Sequence, residues 1–355
     1  MVLKSQIIFY LLIIAIIYSC NNPNKTSDPS PTDAKGVLII NEGNFQRGNA
    51  TLTKYEIDGL GKENVVPDIF NQVNKRPLGD VAQSITLMNN ELWVVVNNSG
   101  KIEVMDTKSY QSIGTISGFN SPRYILPINK TKCYISDLYD NQIAIINPET
   151  KKSTGTIPCK GWTEKMILVN KTAYVTNLRD KYLLSIDTET DKIMDSISIG
   201  INAHGIVMDK NNHLWVICGG NSLGKNEGSG LYCIDPETHK LLKKIPIESL
   251  PIPPYTLPDE LPTGLSLNAT RDTLYYLNHH VYSLGIESKT APTLPLIKGD
   301  NRSFYSMGCN PKNNQIWVSD AKDYVQQSEI LIYQSNGTFK TSFKAGIISG
   351  QFYFE

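Results

Sequence analysis

Ala173-Tyr174-Val175-Thr176-Asn177 is a run of β-formers that opens on an apolar–aromatic pair and stops on Asn. The same phrase recurs along the chain as LIIN (38–41), LWVVVN (92–97), CYISD (133–137), LWVIC (214–218), LYYLN (274–278) and IWVSD (316–320). With Trp93, Tyr134, Tyr174, Trp215, Tyr275 and Trp317 as marks, the steps are 41, 40, 41, 60 and 42 residues. A period near 40 residues is the signature of a repeat architecture in which each unit buries its faces against its neighbours.

Each unit carries further strands around the mark. An apolar strand precedes it, as in SITLM (84–88), YILPI (124–128), MILV (166–169) and GIVM (205–208). Another follows and ends on a polar turn, as in IEVMDT (102–107), IAIINP (143–148), LLSIDT (183–188) and LYCIDP (231–236). Asp106, Asn147 and Asp187 each stand 13 positions after their mark and cap the hairpin into a fourth strand. Four antiparallel strands per repeat, arranged radially, form a β-propeller blade, and seven marks predict seven blades. The first repeat starts at its second strand, and GIISGQFYFE (346–355) reads as an inner strand without a blade of its own. The fold class is therefore all-β, a seven-bladed propeller over 36–355 whose C-terminal strand pairs into the first blade. Such closure leaves no exposed sheet edge where the ends of the chain meet.

The N-terminus is of a different kind. Lys4, the apolar run Ile7–Ile17 and Tyr18-Ser19 read as a signal peptide over 1–19, too short to span a bilayer. Cys20 after the small residue resembles a lipobox, so Cys20 is the expected lipidation site. Residues 20–35 are Pro-rich and lack apolar content, as a disordered tether does. Lys+Arg and Asp+Glu total 34 each, with no basic tract, which excludes an electrostatic footprint for nucleic acid. Five further cysteines (133, 159, 218, 233 and 309), odd in number and without a CxxC, read as buried thiols; a Cys218–Cys233 cross-strand bridge stays open.

Tyr174-Val175-Thr176-Asn177 spells the signature of the YVTN (YncE-like) propellers. Asn41-Glu42-Gly43-Asn44-Phe45 and Ser349-Gly350-Gln351-Phe352 resemble the propeller lipoproteins of the Bacteroidetes, whose best-known group is the cobalamin-binding BtuG-like surface proteins. The resemblance implies an outer-membrane lipoprotein, on the cell surface, that captures cobalamin or a related corrinoid and passes it to a TonB-dependent transporter. The chain departs from surface-exported members in having no acidic residue between Cys20 and Asp28, which leaves its facing open. The other class of function is a scaffold recognising a protein or glycan partner.

In a propeller, the loops between second and third strands share one face with the loops between blades, and ligands sit there over the channel. These loops supply Asn44, Phe45, Arg47, Asn97, Arg123, Tyr124, Tyr139, Trp162, Asn177, Arg179, His204, Arg302, Tyr305 and Gln351 as candidate ligand-binding residues. Amide groups that both donate and accept, beside rigid aromatic surfaces, suit a large, nearly neutral ligand with amide edges such as a corrinoid. Asn and Asp at strand ends also have a purely structural use, satisfying loose backbone groups. Two insertions, 219–230 and the Pro-rich 245–262, are expected to project on the same face.

Nothing in the chain matches GxSxG, HExxH, a P-loop or GxGxxG. Propeller hydrolases of the lactonase type gather several inner-strand carboxylates around a metal; here Glu164 is the only acid at an inner-strand start. The expectation is a non-enzyme with no cofactor and no metal, for which a corrinoid is cargo.

Overall fold

The repeat folds as seven antiparallel sheets. The structure, a computed structural model, describes residues 36–57, 61–220, 228–248 and 262–355. The leader, Cys20, the tether and most of both expected insertions therefore lie outside the described residues. In blade 2 the strands are Ala82–Met88, Glu91–Val96, Lys101–Asp106 and Ser112–Ser117, from channel to rim. Blades 3, 4, 5 and 7 repeat this order. Blade 6 departs from the expected four strands: it has Thr263–Leu267, Thr273–Asn278 and His280–Gly285. Its rim position is held only by an isolated bridge between Val281 and Ile297, because the Pro-containing stretch 287–296 cannot sustain a ladder.

Blade 1 is completed by the far end of the chain. Ser349–Phe354 pairs with Val37–Asn41, from Val37↔Phe354 to Asn41↔Ser349, and takes the channel position. The closing strand is shorter than expected, because Phe339–Ile347 is the rim strand of blade 7 and Ile348, at φ 55°, makes the whole turn between them. Glycine is required at 346, where a Cβ would collide with Asn41 and Thr51. Inner strands of successive blades touch all the way round, with Ser349–Phe354 set between those of blades 7 and 2.

The mark residues bind blade to blade. Trp93 packs against Ile125, Cys133 and Ile135 of blade 3. Tyr134 faces blade 4, Tyr174 blade 5, Trp215 blade 6 and Tyr275 blade 7. Trp317 closes the circle against Tyr55 and Phe352 of blade 1. An aromatic at this position fills the wedge-shaped gap between twisted sheets, and Leu38 takes its place in blade 1. The polar ends are mostly satisfied: Trp215 Nε1 donates to Asp209 at 2.9 Å, and the Tyr174 hydroxyl to the Pro236 carbonyl at 2.7 Å.

The turn carboxylates and amides do what their spacing predicts. Asp106, Asn147 and Asp187 each accept from backbone N–H groups two and three residues on. One element was not visible in the repeat. A helix over Ile69–Asn74, capped by Asp68 accepting from Asn71 N at 3.1 Å, buries Phe70 in the core between blades 1 and 2. The five cysteines are free thiols; Cys218 pairs with Gly230 and Cys233 with Trp215, so the strand register keeps the two apart.

Candidate functional site

One irregularity occurs in all seven blades at the same height. The ladder between first and second strands breaks register at the start of each inner strand: Ala82/Ser84, Pro122/Ile125, Thr163/Met166, Ala203/Gly205, Thr263/Leu265 and Phe304/Ser306. In blade 1 the break falls between Ser349 and Gln351. The residues inserted at these bulges are Gln83, Arg123–Tyr124, Glu164–Lys165, His204, Gly264, Tyr305 and Gly350. A bulge re-aims the side chains it carries. Seven of them at one height form a collar at the mouth of the channel.

The collar is knitted together by its own side chains. Arg123 grips Glu164 in a bidentate pair, Nε to Oε2 at 2.8 Å and Nη2 to Oε1 at 2.7 Å, and also donates to Gln83 Oε1. Gln83 Nε2 reaches the Tyr124 hydroxyl at 3.4 Å. The Tyr305 hydroxyl donates to Glu42 Oε1 at 2.9 Å. Glu42 comes from the loop after the first strand and occupies the space that a Cβ on Gly350 would need. Lys165 Nζ and the Arg123 guanidinium lie 5.5 and 5.9 Å from the centre of the Tyr124 ring.

Enclosure by the channel shapes the ionisation of these groups. Burial lifts Glu42 from the ordinary 4.5 to about 7, against the opposing hydrogen bond from Tyr305. Burial lowers both Lys165 and His204 and raises Tyr124 and Tyr305. Between about 4.5 and 7 the folded protein thus holds a proton on Glu42 that the unfolded chain has released, so this group's contribution to stability falls as pH rises through that window. His204, whose folded value is depressed, contributes in the opposite sense. Comparing wild type with Glu42→Gln isolates the first effect: the variant's stability should decline less, or rise more, with pH across this window in chemical denaturation. Parallel curves would show that Glu42 ionises freely in the channel.

The structure distributes the expected residues over three kinds of place. Arg123, Tyr124, His204 and Tyr305 meet in the collar. Gln351 stands beside it, but its side-chain oxygen accepts from Ile85 N at 3.0 Å and so ties the closing strand to blade 2. Tyr139, Trp162 and Arg179 form a separate recess of about 380 Å³ with Asn141, Lys160 and Asp180. There the Arg179 guanidinium stacks 3.5 Å from the Trp162 ring and Tyr139 meets Trp162 edge-on at 5.6 Å. Phe45 (65% exposed) and Tyr139 (63%) stand free in solvent, and Arg47 is exposed beside Phe45. Arg302 lies 4.0 Å from Asp320 at the base of its loop.

Three of the expected binding residues make hydrogen bonds that tie the loops together, and one of them, Asn177, also lines the recess with Trp162 and Arg179. Asn97 is buried and spends its amide on Ser121 Oγ and the Pro122 carbonyl, both at 2.9 Å. Asn177 donates to the Gly161 carbonyl at 2.8 Å and accepts from the N–H groups of Arg179 and Asp180. Asn44 donates to the Tyr324 carbonyl at 2.6 Å. Asp137 and Asp320 do the same work, accepting from Ser121 N and Ser303 N. At Asn97, Asp137, Asn177 and Asp320 the polar residue at the end of the second strand is a clamp between two loops, because it lies beside their unpaired backbone groups.

Sequence reasoning missed Glu42, Gln83 and Lys165 and gave Glu164 no binding role. The positions of Gln83, Glu164 and Lys165 at inner-strand starts were readable, but the bulges that insert one residue, or two in blades 3 and 4, were not. Glu164 is the acid at an inner-strand start, and Glu42 adds a second carboxylate to the collar from a loop. Among the described residues no three His, Cys, Asp or Glu side chains come together as a metal site.

Comparison with known proteins supports the architecture. A crystal structure of a quinonprotein alcohol dehydrogenase-like protein from Bacteroides thetaiotaomicron superposes with a TM-score of 0.71 at 13% identity, covering 90% of this chain and 78% of that one. Hydrazine synthase from Kuenenia stuttgartiensis gives 0.54 at 12% identity, covering 70% and 76%. At these identities the likeness is one of fold. No curated protein sequence matches the chain. The family model of DUF5074, a domain of unknown function, matches residues 35–354. By that match over nearly its whole length, this seven-bladed propeller belongs to the DUF5074 family.

Proposed function

We propose that the protein is a non-catalytic binding propeller that holds cobalamin or a related corrinoid over the collar and passes it to a TonB-dependent transporter. The observation that carries this reading is the collar itself. Five of the seven bulges carry side chains, among them amide, phenol and imidazole groups, at one mouth; there Arg123 is paired with Glu164, and Glu42 accepts a hydrogen bond from Tyr305. Both oxygens of Glu164 are occupied by Arg123, which suits recognition better than acid–base or metal chemistry. Exposed Phe45 and Tyr139, from loops on the same face, offer apolar contact for a flat macrocycle. Cys20 is the lipid anchor in this reading and places the protein at the outer membrane; loss of acyl labelling in Cys20→Ser tests that part.

Calorimetric titration of cyanocobalamin into the purified protein is expected to show saturable binding in the micromolar range or tighter. Phe45→Ala and Tyr139→Ala should each weaken it about five- to tenfold, the loss of one aromatic contact. Absence of binding at micromolar ligand overturns the corrinoid reading and leaves the partner-binding scaffold in its place.

A further inference from the structure

The collar is unevenly paired around its circumference. Arg123 has Glu164 and Gln83, and Glu42 has Tyr305. On the side where blades 4 and 5 meet, the donors have no such partners among the described residues. Among the described residues no carboxylate comes within ion-pair distance of Lys165. Glu164, its chain neighbour, attracts Lys165 only from a distance, being hydrogen-bonded through both oxygens to Arg123, and the Lys165 ammonium lies 5.5 Å from the centre of the Tyr124 ring. His204 enters from the adjacent inner strand and, among the described residues, makes no hydrogen bond or ring contact. The next collar position round the channel is Gly264, where a Cβ would point at the Met307 and Leu277 side chains, so no side chain of blade 6 enters the collar at that bulge.

A half-buried ammonium without a counter-charge is costly, and a protein retains one where an anion completes it. We propose that the collar contains an oxyanion site, for a phosphate or carboxylate group, seated between Lys165 and His204. Lys165 supplies the fixed charge and three rotatable donors, which suit an oxyanion approached from one side. His204 adds a ring N–H and can take up a proton as the anion enters; burial depresses its basicity, which leaves that proton to be gained. The inference rests on the collar being a binding site, and adds that what binds there presents one anionic group to blades 4 and 5.

The test is a titration of inorganic phosphate into the full protein near neutral pH, following the His204 ring signals by NMR. A saturable shift of His204 is expected, weakened at least about tenfold in Lys165→Met and largely kept in Lys165→Arg, with thermal melts confirming that both variants are folded. No saturable shift in the wild type, or an unchanged response in a folded Lys165→Met, overturns the proposal. If Lys165→Met melts early, a wild-type and Lys165→Arg pair that both fail to respond overturns it equally. Parallel titrations with cyanocobalamin, which carries a phosphodiester, and with cobinamide, which lacks it, separate the two sources of the anion. A larger loss for cyanocobalamin in Lys165→Met assigns the site to the ligand's own phosphate; equal losses, with the phosphate response intact, assign it to a free oxyanion. Should cyanocobalamin not bind at all, the corrinoid reading fails while the phosphate response still decides the oxyanion site.

Discussion

Removal of residues 349–355 is expected to abolish the cooperative unfolding transition of the whole propeller. Ser349–Phe354 is one strand of blade 1 and also one of the seven staves of the channel wall. Its loss strips Val37–Asn41 of a partner along its entire length and uncovers the inner strands of blades 7 and 2. It also dismantles a buried polar knot. The Ser349 hydroxyl donates to Asn41 Oδ1 at 2.7 Å, its N–H to Ser328 Oγ at 3.1 Å, and its carbonyl accepts from Ser306 and Ser319. Groups left unpaired there carry the full desolvation penalty. Phe352→Ala is the milder form of the same experiment. Phe352 packs against Trp317 and Phe354, so truncation should cost about 3–5 kcal/mol. Circular dichroism melts check both variants; a truncated chain that melts like the wild type would show that the ring does not depend on its closing strand.

The second large effect is expected at Glu164. Its side chain is 3% exposed and that of Arg123 17%, so the pair is shielded from solvent and its geometry is bidentate. Glu164→Gln leaves the guanidinium enclosed beside Lys165 with no counter-charge, at an expected cost of about 3–5 kcal/mol. The double variant Arg123→Met/Glu164→Leu should be less destabilised than Glu164→Gln alone, because it removes both charges that burial penalises. Urea denaturation of the variants provides the measurement. A cost below about 1 kcal/mol for Glu164→Gln would mean that channel water screens the pair as it does at a surface.

The recurrence of an aromatic mark followed by Asn or Asp has two separate causes, which the structure resolves. The aromatic is selected by packing: Trp93, Tyr134, Tyr174, Trp215, Tyr275 and Trp317 each plug the gap to the next blade. The polar residue is selected by hydrogen bonding between loops, which is why Asn97 and Asn177 are buried clamps. Both causes act locally and identically in every blade, so both leave a period in the sequence. The helix at Ile69–Asn74 and the missing rim strand of blade 6 leave none, since each happens once.

The amino-acid sequence by itself determined the strand pattern, the number of blades and the way the ring closes, because hydrophobic alternation, turn residues and repeat length are properties of neighbours along the chain. The composition of the collar was decided only by the tertiary structure. Whether Gln83, Glu164 or Lys165 turns toward the channel depends on a one-residue slip of ladder register, and such a slip reverses the direction of a side chain without changing a single letter of the repeat. Glu42 reaches Tyr305 from 263 positions away in the chain, and only closure of the ring through Ser349–Phe354 brings the two together.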